Sequence, residues 1–453
     1  MHKRIFLPPY SLPIVFFVLV ITIGSILLHS RMCQTSFQPS WTDAIFTATS
    51  AACVTGLSVF DIGSRLNGIG QIVVLLLIQV GGLGIMSFTS LAFYLWRQRI
   101  SLTDRMAVGQ SLLHDPSFHL GKFLARIVVW TFLIEAIGAC LIYFLAPSAI
   151  TPFSAVFHAI SAFCNAGFSL QSDSLIRWRG APGVNLVFMA LIILGGLGFS
   201  VIVEMQSQAV SRLRLGGKGK HGRITWYSQV VIKTSLYLVL AGWIGIYCAE
   251  FIGYNRHLPL GESLVAALFQ SVTCRTAGFN TLDIGQMTNM SLVIMILLMF
   301  IGGAPGSCAG GIKVTTFRAL IAFIAAQARG HRQTVIGKYA LDDKTLHDSL
   351  ILFVFAGAIV IVSIFLLNMT EGGDMPHPQT RGLFLEIVFE TVSAFGTVGL
   401  STGLTTKLTI AGKYIIVALM FIGRLGPLVF LAAMQSLRQD LYFSWPEDKL
   451  LIG

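Results

Sequence analysis

The chain has 453 residues, of which 55% are hydrophobic and 11% are charged, with a formal net charge of +11. Soluble globular domains carry about 25% charged residues, so a water-soluble enzyme, a disordered chain and a compact DNA-binding domain are excluded as classes. The basic excess is read by position, as membrane topology or contact with anionic lipid.

A bilayer core about 30 Å thick needs about 20 apolar helical residues. In chain order such windows fall at 8–29, 69–96, 122–146, 183–207, 228–252, 288–328, 346–368 and 411–436, the sixth of them interrupted. The first follows His2, Lys3 and Arg4 but has no clean cleavage pattern behind it, so it reads as a crossing and not a signal peptide. Four further apolar stretches, 42–53, 152–164, 261–274 and 383–395, are too short to span and read as re-entrant segments. With the N-terminus placed in the cytoplasm, 21 of the 31 lysines and arginines fall on the cytoplasmic side and nine on the other, with Arg424 inside a crossing. The positive-inside rule then puts both termini in the cytoplasm. Six of the seven cysteines lie in apolar stretches and no Cys-x-x-Cys occurs, so neither a disulfide framework nor a metal site is expected.

Two markers recur four times. Each short stretch ends in a glycine followed by an apolar residue: Val54-Thr55-Gly56-Leu57, Asn165-Ala166-Gly167-Phe168, Thr276-Ala277-Gly278-Phe279 and Thr397-Val398-Gly399-Leu400. The glycines are spaced 111, 111 and 121 residues apart. A second marker follows each at 24 to 28 residues: Gly81-Gly82-Leu83-Gly84, Gly195-Gly196-Leu197-Gly198, Gly302-Gly303-Ala304-Pro305 and Gly423-Arg424-Leu425-Gly426. The repeating unit is therefore crossing, short helix, glycine loop, crossing. Each unit returns to its starting side, so the four are parallel. They divide the chain at 1–100, 101–215, 216–335 and 336–453, the last including a cytoplasmic tail. The fold class expected is all-α and integral to the membrane, with fourfold pseudosymmetry, eight crossings and four re-entrant pore helices.

Non-helical backbone is tolerated in lipid only where it is buried in protein or lines a watery cavity. Four such loops meeting on an axis satisfy this by facing a pore. Glycine allows positive φ and turns carbonyls toward the axis, and a carbonyl ring can replace a cation's hydration shell. The short helices aim their partly negative C-terminal ends at the same point. No carboxylate lies in the four loops, so a divalent site is disfavoured and a monovalent cation is expected. The backbone carbonyls assigned to it are those of Val54, Thr55, Gly56, Asn165, Ala166, Gly167, Thr276, Ala277, Gly278, Thr397, Val398 and Gly399.

The remaining candidates serve those loops. Gly302, Gly303, Ala304, Pro305, Gly306, Ser307, Cys308, Ala309, Gly310 and Gly311 break the sixth crossing, since a proline and five glycines cannot hold a helix in lipid. They read as an intramembrane gate, with a simple kink as the alternative. Arg424 is a charge inside a crossing and so faces a cavity. It reads as a cationic barrier touching the gate, or as a pairing with a carbonyl or with Glu390. Arg275, Asn165, Glu386, Glu390 and His158 read first as structural braces, and Lys313 as a side chain reaching toward the inner face. Gly216–Gly222 lacks the Walker A spacing and reads as a basic cytoplasmic linker. No catalytic set is present; Ser307 with His158 is the one nucleophile–base pair that can be proposed, and the repeat gives it no rationale.

With these residues in view, the chain resembles the Trk/Ktr/HKT superfamily of potassium transporters, and within it the Ktr-type (KtrB-like) membrane subunits. The matching stretches are Thr47–Leu57, His158–Leu170, Gln270–Asp283, Gly302–Thr316, Phe389–Leu400 and Met420–Leu428, and the ending Trp445–Gly453 is similar to Ktr C-termini. The resemblance implies potassium as the transported ion, because glycine stands in all four filters, with sodium dependence left open. It implies that the 302–311 loop is the gate. It also implies a cytoplasmic ring of RCK-type (KtrA-like) regulatory subunits that bind ATP, ADP or NAD, this chain binding no nucleotide itself. A homodimer with one pore per chain, in the bacterial inner membrane and without nucleic acid, completes the expectation. A Trk-type potassium–proton or potassium–sodium symporter is the alternative.

Overall fold

The computed structural model describes residues 11–35, 38–98, 120–147, 150–214, 224–252, 258–373 and 376–437. Ser11, 85–98, 120–124, 209–214, His377 and 427–437 are described by backbone alone. The basic stretch 216–222 and the tail 438–453 lie outside the described residues, as do many of the lysines and arginines that set the expected topology.

The described chain is almost wholly helical. The first unit holds α1 (Ser11–His29), α2 (Trp41–Ala52) and α3 (Gly68–Gln98). The second holds α4 (Leu120–Leu145), α5 (Pro152–Phe163), α6 (Pro182–Gly196) and α7 (Phe199–Arg214). The third holds α8 (Trp226–Ile246), α9 (Leu260–Thr273), α10 (Asn289–Phe300) and α11 (Val314–Ala328). The fourth holds α12 (Asp343–Leu367), α13 (Leu383–Gly396) and α14 (Ile410–Leu437). A two-stranded hairpin, β1 (Val335–Ile336) with β2 (Tyr339–Ala340), joins α11 to α12 and pairs Val335 with Ala340. Trp226 Nε1 donates to Ile336 O at 2.9 Å, fastening that hairpin to the start of α8.

Local chemistry starts these helices where the chain needs them. Ser40 and Thr151 accept from Asp43 N (3.1 Å) and Ser154 N (3.2 Å), satisfying backbone donors that the first turn leaves free. Pro152 adds a residue already fixed in helical φ at N1 of α5. Thr225, Thr288 and Asp342 cap α8, α10 and α12 in the same way.

Among the described residues, four helices are long and apolar enough to cross a membrane: Leu12–His29, Ala125–Leu145, Trp226–Phe251 and Asp343–Gly372. Their polarity runs outside-in. Phe144, Ile361 and Phe365 are exposed on α4 and α12, while Thr131, Glu135, Ser349 and Ser363 of the same helices are buried. Water would favour the reverse; hydrocarbon around the molecule accounts for it.

The window at 183–207 is not one straight helix, as its hydropathy suggests. It is α6 and α7, bent by 106° at Leu197-Gly198. Gly198 takes φ +83°, and a Cβ there would lie 2.8 Å from the Pro305 carbonyl oxygen. The backbone groups freed by the bend are satisfied by another segment: Ala304 N donates to Gly196 O (2.9 Å), Cys308 N to Gly195 O (3.3 Å), and Phe199 N to Gly306 O (3.2 Å). The bend therefore exists as one half of a joint whose other half is the 302–313 segment.

The buried core is arranged around the short helices. One hydrophobic cluster is drawn chiefly from α1 to α6, with Phe269 and Phe279 from the third unit. The other is drawn from α8 to α14, with Phe46, Cys53 and Leu57 from the first. Lys413, at the start of α14, meets Asp43 of α2 at 2.8 Å, so the first and last units touch.

Candidate ion-conducting site

The four short stretches form α2, α5, α9 and α13, and each delivers its C-terminal end to a glycine loop. The loops share one backbone pattern. Val54, Asn165, Thr276 and Thr397 take φ of 55°, 59°, 68° and 51°, and Gly56, Gly167, Gly278 and Gly399 take 98°, 68°, 80° and 89°. Left-handed φ is unfavourable for a side-chain-bearing residue, above all for β-branched Val54, Thr276 and Thr397. Four copies of the same unfavourable sequence of angles show that the surroundings impose it.

The loops meet in a closed ring. A Cβ on Gly56 would lie 3.1 Å from Gly167 Cα, one on Gly167 2.8 Å from Gly278 Cα, one on Gly278 3.4 Å from Gly399 Cα, and one on Gly399 2.9 Å from Gly56 Cα. Each glycine also confronts the middle carbonyl of the next loop: Ala166, Ala277, Val398 and Thr55 in turn. Every loop abuts the next and the fourth abuts the first. The four loops named from the sequence are therefore at one place, although more than 100 residues separate each from the next.

Hydroxyls hold this backbone, at positions that hydropathy and the glycine pattern do not mark. Ser161 donates to Phe168 O (2.8 Å) and Ser393 to Leu400 O (2.6 Å); Ser50 and Ser393 accept from Gly56 N and Gly399 N, both at 3.1 Å. All three serines lie six residues before their glycine, a spacing that was available in the sequence. The third unit has Val272 there and shifts the task by one residue, Thr273 donating to Phe279 O at 2.6 Å.

Longer braces act in the second and fourth units. Buried His158 spans from Ser154 O (2.7 Å) to Ser169 Oγ (3.0 Å). Glu390 accepts from Ser401 Oγ, Thr402 N (3.1 Å) and Thr405 Oγ1 (2.7 Å). Each stands nine residues before its glycine and reaches a serine two residues after it. These contacts occupy the nitrogens of His158, and Ser307 Oγ donates to Ala304 O at 2.6 Å, so the two are not a catalytic pair. They also take Glu390 away from Arg424, correcting the pairing considered between them. Asn165, its amide oriented with nitrogen toward acceptors, donates to Ala162 O (3.0 Å) and Ile192 O (3.2 Å), fastening the second loop to α6.

The second marker has a steric reason in three units. Cβ atoms on Gly81, Gly195 and Gly423 would clash with the carbonyls of Ala52, Phe163 and Phe395, at the ends of α2, α5 and α13. In the third unit the chain leaves helix instead. Residues 301–313 are held by Gly302 N to Ile312 O (2.8 Å), Val314 N to Gly303 O (3.1 Å) and the three bonds to the α6–α7 bend. The Arg275 guanidinium donates to Ser235 O (3.0 Å) on α8 and to Gly302 O (3.3 Å), so its hydrogen bonds lead away from the filter loop beside it. Arg424 donates to Cys308 O and to Gly81 O (3.3 Å). Lys313 donates to Ala309 O at 2.5 Å, turning back onto the loop instead of reaching outward.

The profile of the family described as TrkH, cation transport protein, matches residues 9–444. The chain is 38% identical over 455 residues to Ktr system potassium uptake protein B of Bacillus subtilis, covering 99% of this chain and 97% of that protein. It is 34% identical over 450 residues to potassium/sodium uptake protein NtpJ of Enterococcus hirae, covering 97% and 95%. Its fold matches the crystal structure of the potassium transporter TrkH from Vibrio parahaemolyticus with a TM-score of 0.72 at 18% identity, over 96% of this chain and 86% of that one.

Proposed function

The chain belongs to the TrkH family of cation transport proteins, and on that premise we propose that it is the membrane subunit through which a Ktr-type system takes up potassium. One observation carries the reading: the four glycine loops abut one another in a closed ring, at the ends of four helices that point their C-termini at it. Such a ring offers carbonyl oxygens and negative helix ends to a cation and no carboxylate to hold a divalent one.

In this proposal the carbonyls of residues 54–56, 165–167, 276–278 and 397–399 form the filter. The four units at 1–100, 101–215, 216–335 and 336–453 cross eight times in parallel, with fourfold pseudosymmetry and both termini in the cytoplasm. The 302–311 loop closes the path beneath the filter, and Arg424 sets a positive charge against it. The subunit works as a homodimer in the bacterial inner membrane, one pore per chain. A KtrA-like RCK ring that binds ATP, ADP or NAD docks on its basic cytoplasmic face and opens the gate.

The test is potassium uptake by a potassium-transport-deficient bacterium expressing the chain, with and without an RCK subunit. Restored growth at low potassium is expected. Absence of uptake, with the chain shown to be inserted and the subunit present, overturns the assignment. Sodium coupling is the second reading, favoured by the potassium/sodium designation of the Enterococcus hirae relative. Reversal potentials measured across sodium and proton gradients separate coupled transport from passive conduction.

A further inference from the structure

Two buried cysteines stand at the proposed filter and gate, and their thiols have been given no role there. Cys164 lies between the end of α5 and the second filter loop, and Cys308 lies in the 302–311 loop. Both are buried and neither is in a disulfide. Their sulfurs border one space. Gly82 of α3 leaves the space they occupy: a Cβ there would lie 2.7 Å from Cys164 Sγ and 3.7 Å from Cys308 Sγ. On its other side Cys164 Sγ faces Glu135 Oε1 at 3.8 Å, and that carboxyl is held by Gln79 Nε2 at 3.2 Å. The Cys308 backbone is pinned through its N–H to Gly195 and through its carbonyl to Arg424. The pair thus sets a wall of the second filter loop beside the middle of the 302–311 loop, with both sulfurs bordering the space beside Gly82. A disulfide needs the two sulfurs to close to about 2.05 Å, by rotation of the side chains about that shared space.

We propose that Cys164 and Cys308 are an oxidisable pair, converted by a peroxide into a disulfide that fastens the 302–311 loop to the second filter loop and lowers flux. The peroxide oxidises one thiol to a sulfenic acid, its O–O bond breaking and one water leaving. The second thiol attacks that sulfur and displaces the hydroxyl, forming the S–S bond and a second water. The two sulfurs together lose two electrons, the peroxide gains them, and both thiol protons end in the waters. A peroxide is small and neutral, so it can reach the buried pair through local openings of the packing and needs no ion path. The consequence for flux rests on the proposed function; the bond itself does not.

The experiment treats the purified full chain in liposomes with hydrogen peroxide, digests it without reduction and maps the peptides by mass spectrometry. A peptide linking 164 to 308 is expected, absent from Cys164→Ser and from Cys308→Ser. Potassium flux falls severalfold on oxidation and returns with dithiothreitol, whereas flux in either variant, whatever its starting level, no longer responds. Buried Cys53 and Cys274, at the ends of α2 and α9, serve as internal controls. Free thiols at 164 and 308 after treatment, or links scattered to the exposed Cys140 and Cys248, overturn the pair. A 164–308 link with unchanged flux overturns the fastening. A chain with no flux before oxidation counts against the proposed function instead, and the peptide map still decides the bond.

Discussion

Arg424 on α14 is bonded to the carbonyl of Cys308, in the middle of the 302–311 loop, and through its second nitrogen to Gly81 O on α3. One guanidinium thus ties the break in the third unit to the second marker of the first. The planar fork of arginine can address two carbonyls at once, which lysine, with a single ammonium, does poorly.

Removing this tie frees the loop. Arg424→Ala is expected to raise potassium flux, and Arg424→Lys to fall between it and the parent. Each hydrogen bond from a charged group is worth about 1.5–3 kcal/mol, so both variants also melt at lower temperature. Flux in liposomes, read beside a thermal unfolding curve, checks this; unchanged flux with lowered stability assigns Arg424 to structure alone.

Deleting residues 304–309 removes the Cys308 carbonyl that Arg424 holds and the Ala304, Gly306 and Cys308 partners of the α6–α7 bend. Flux is expected to rise above that of Arg424→Ala, since the obstruction goes as well as its anchor. Tracer uptake in liposomes measures it, and no increase removes the loop from gating.

Gly56→Ser adds a Cβ at φ +98°, 3.1 Å from Gly167 Cα and against the Ala166 carbonyl. The left-handed backbone costs a side-chain-bearing residue roughly 1–2 kcal/mol, so the loop relaxes and its carbonyl leaves the ring. Potassium permeation should fall relative to sodium, read as a shift in bi-ionic reversal potential. An unmoved ratio would show that this loop does not select.

Ser161→Ala and Ser393→Ala each remove the hydroxyl that fixes the carbonyl just after the filter glycine. A neutral hydrogen bond contributes about 0.5–1.5 kcal/mol, so each variant should lose stability of that order. The loss of selectivity should be larger in the double variant than in either single one. Equal selectivity in all three would make these serines merely part of the packing. His158 and Glu390 leave the second and fourth loops a further brace, so neither variant should unfold the filter.

The sequence, taken alone, marks the four loops that the fold brings together. Chain-long periodicity made α2, α5, α9 and α13 legible to within a residue or two, because a short apolar run ending in glycine recurs whenever a helix must stop inside lipid. The twelve loop residues are legible in the same pattern. The serines six positions before their glycines were equally visible, but only the hydrogen bonds give that spacing a meaning.

Tertiary structure decided what joins what. Hydropathy reports how apolar a stretch is and not whether its carbonyls have partners, so the 106° bend at Leu197-Gly198 could not be read from it. The bend is stable because Ala304, Gly306 and Cys308 satisfy it, and nothing in either segment names the other. Arg275, beside one filter loop in sequence, bonds instead to α8 and Gly302; Glu390, a conceivable partner for Arg424, is committed to Ser401, Thr402 and Thr405. A buried polar group takes whichever partner the folded chain brings within about 3 Å, and that distance belongs to the assembled molecule.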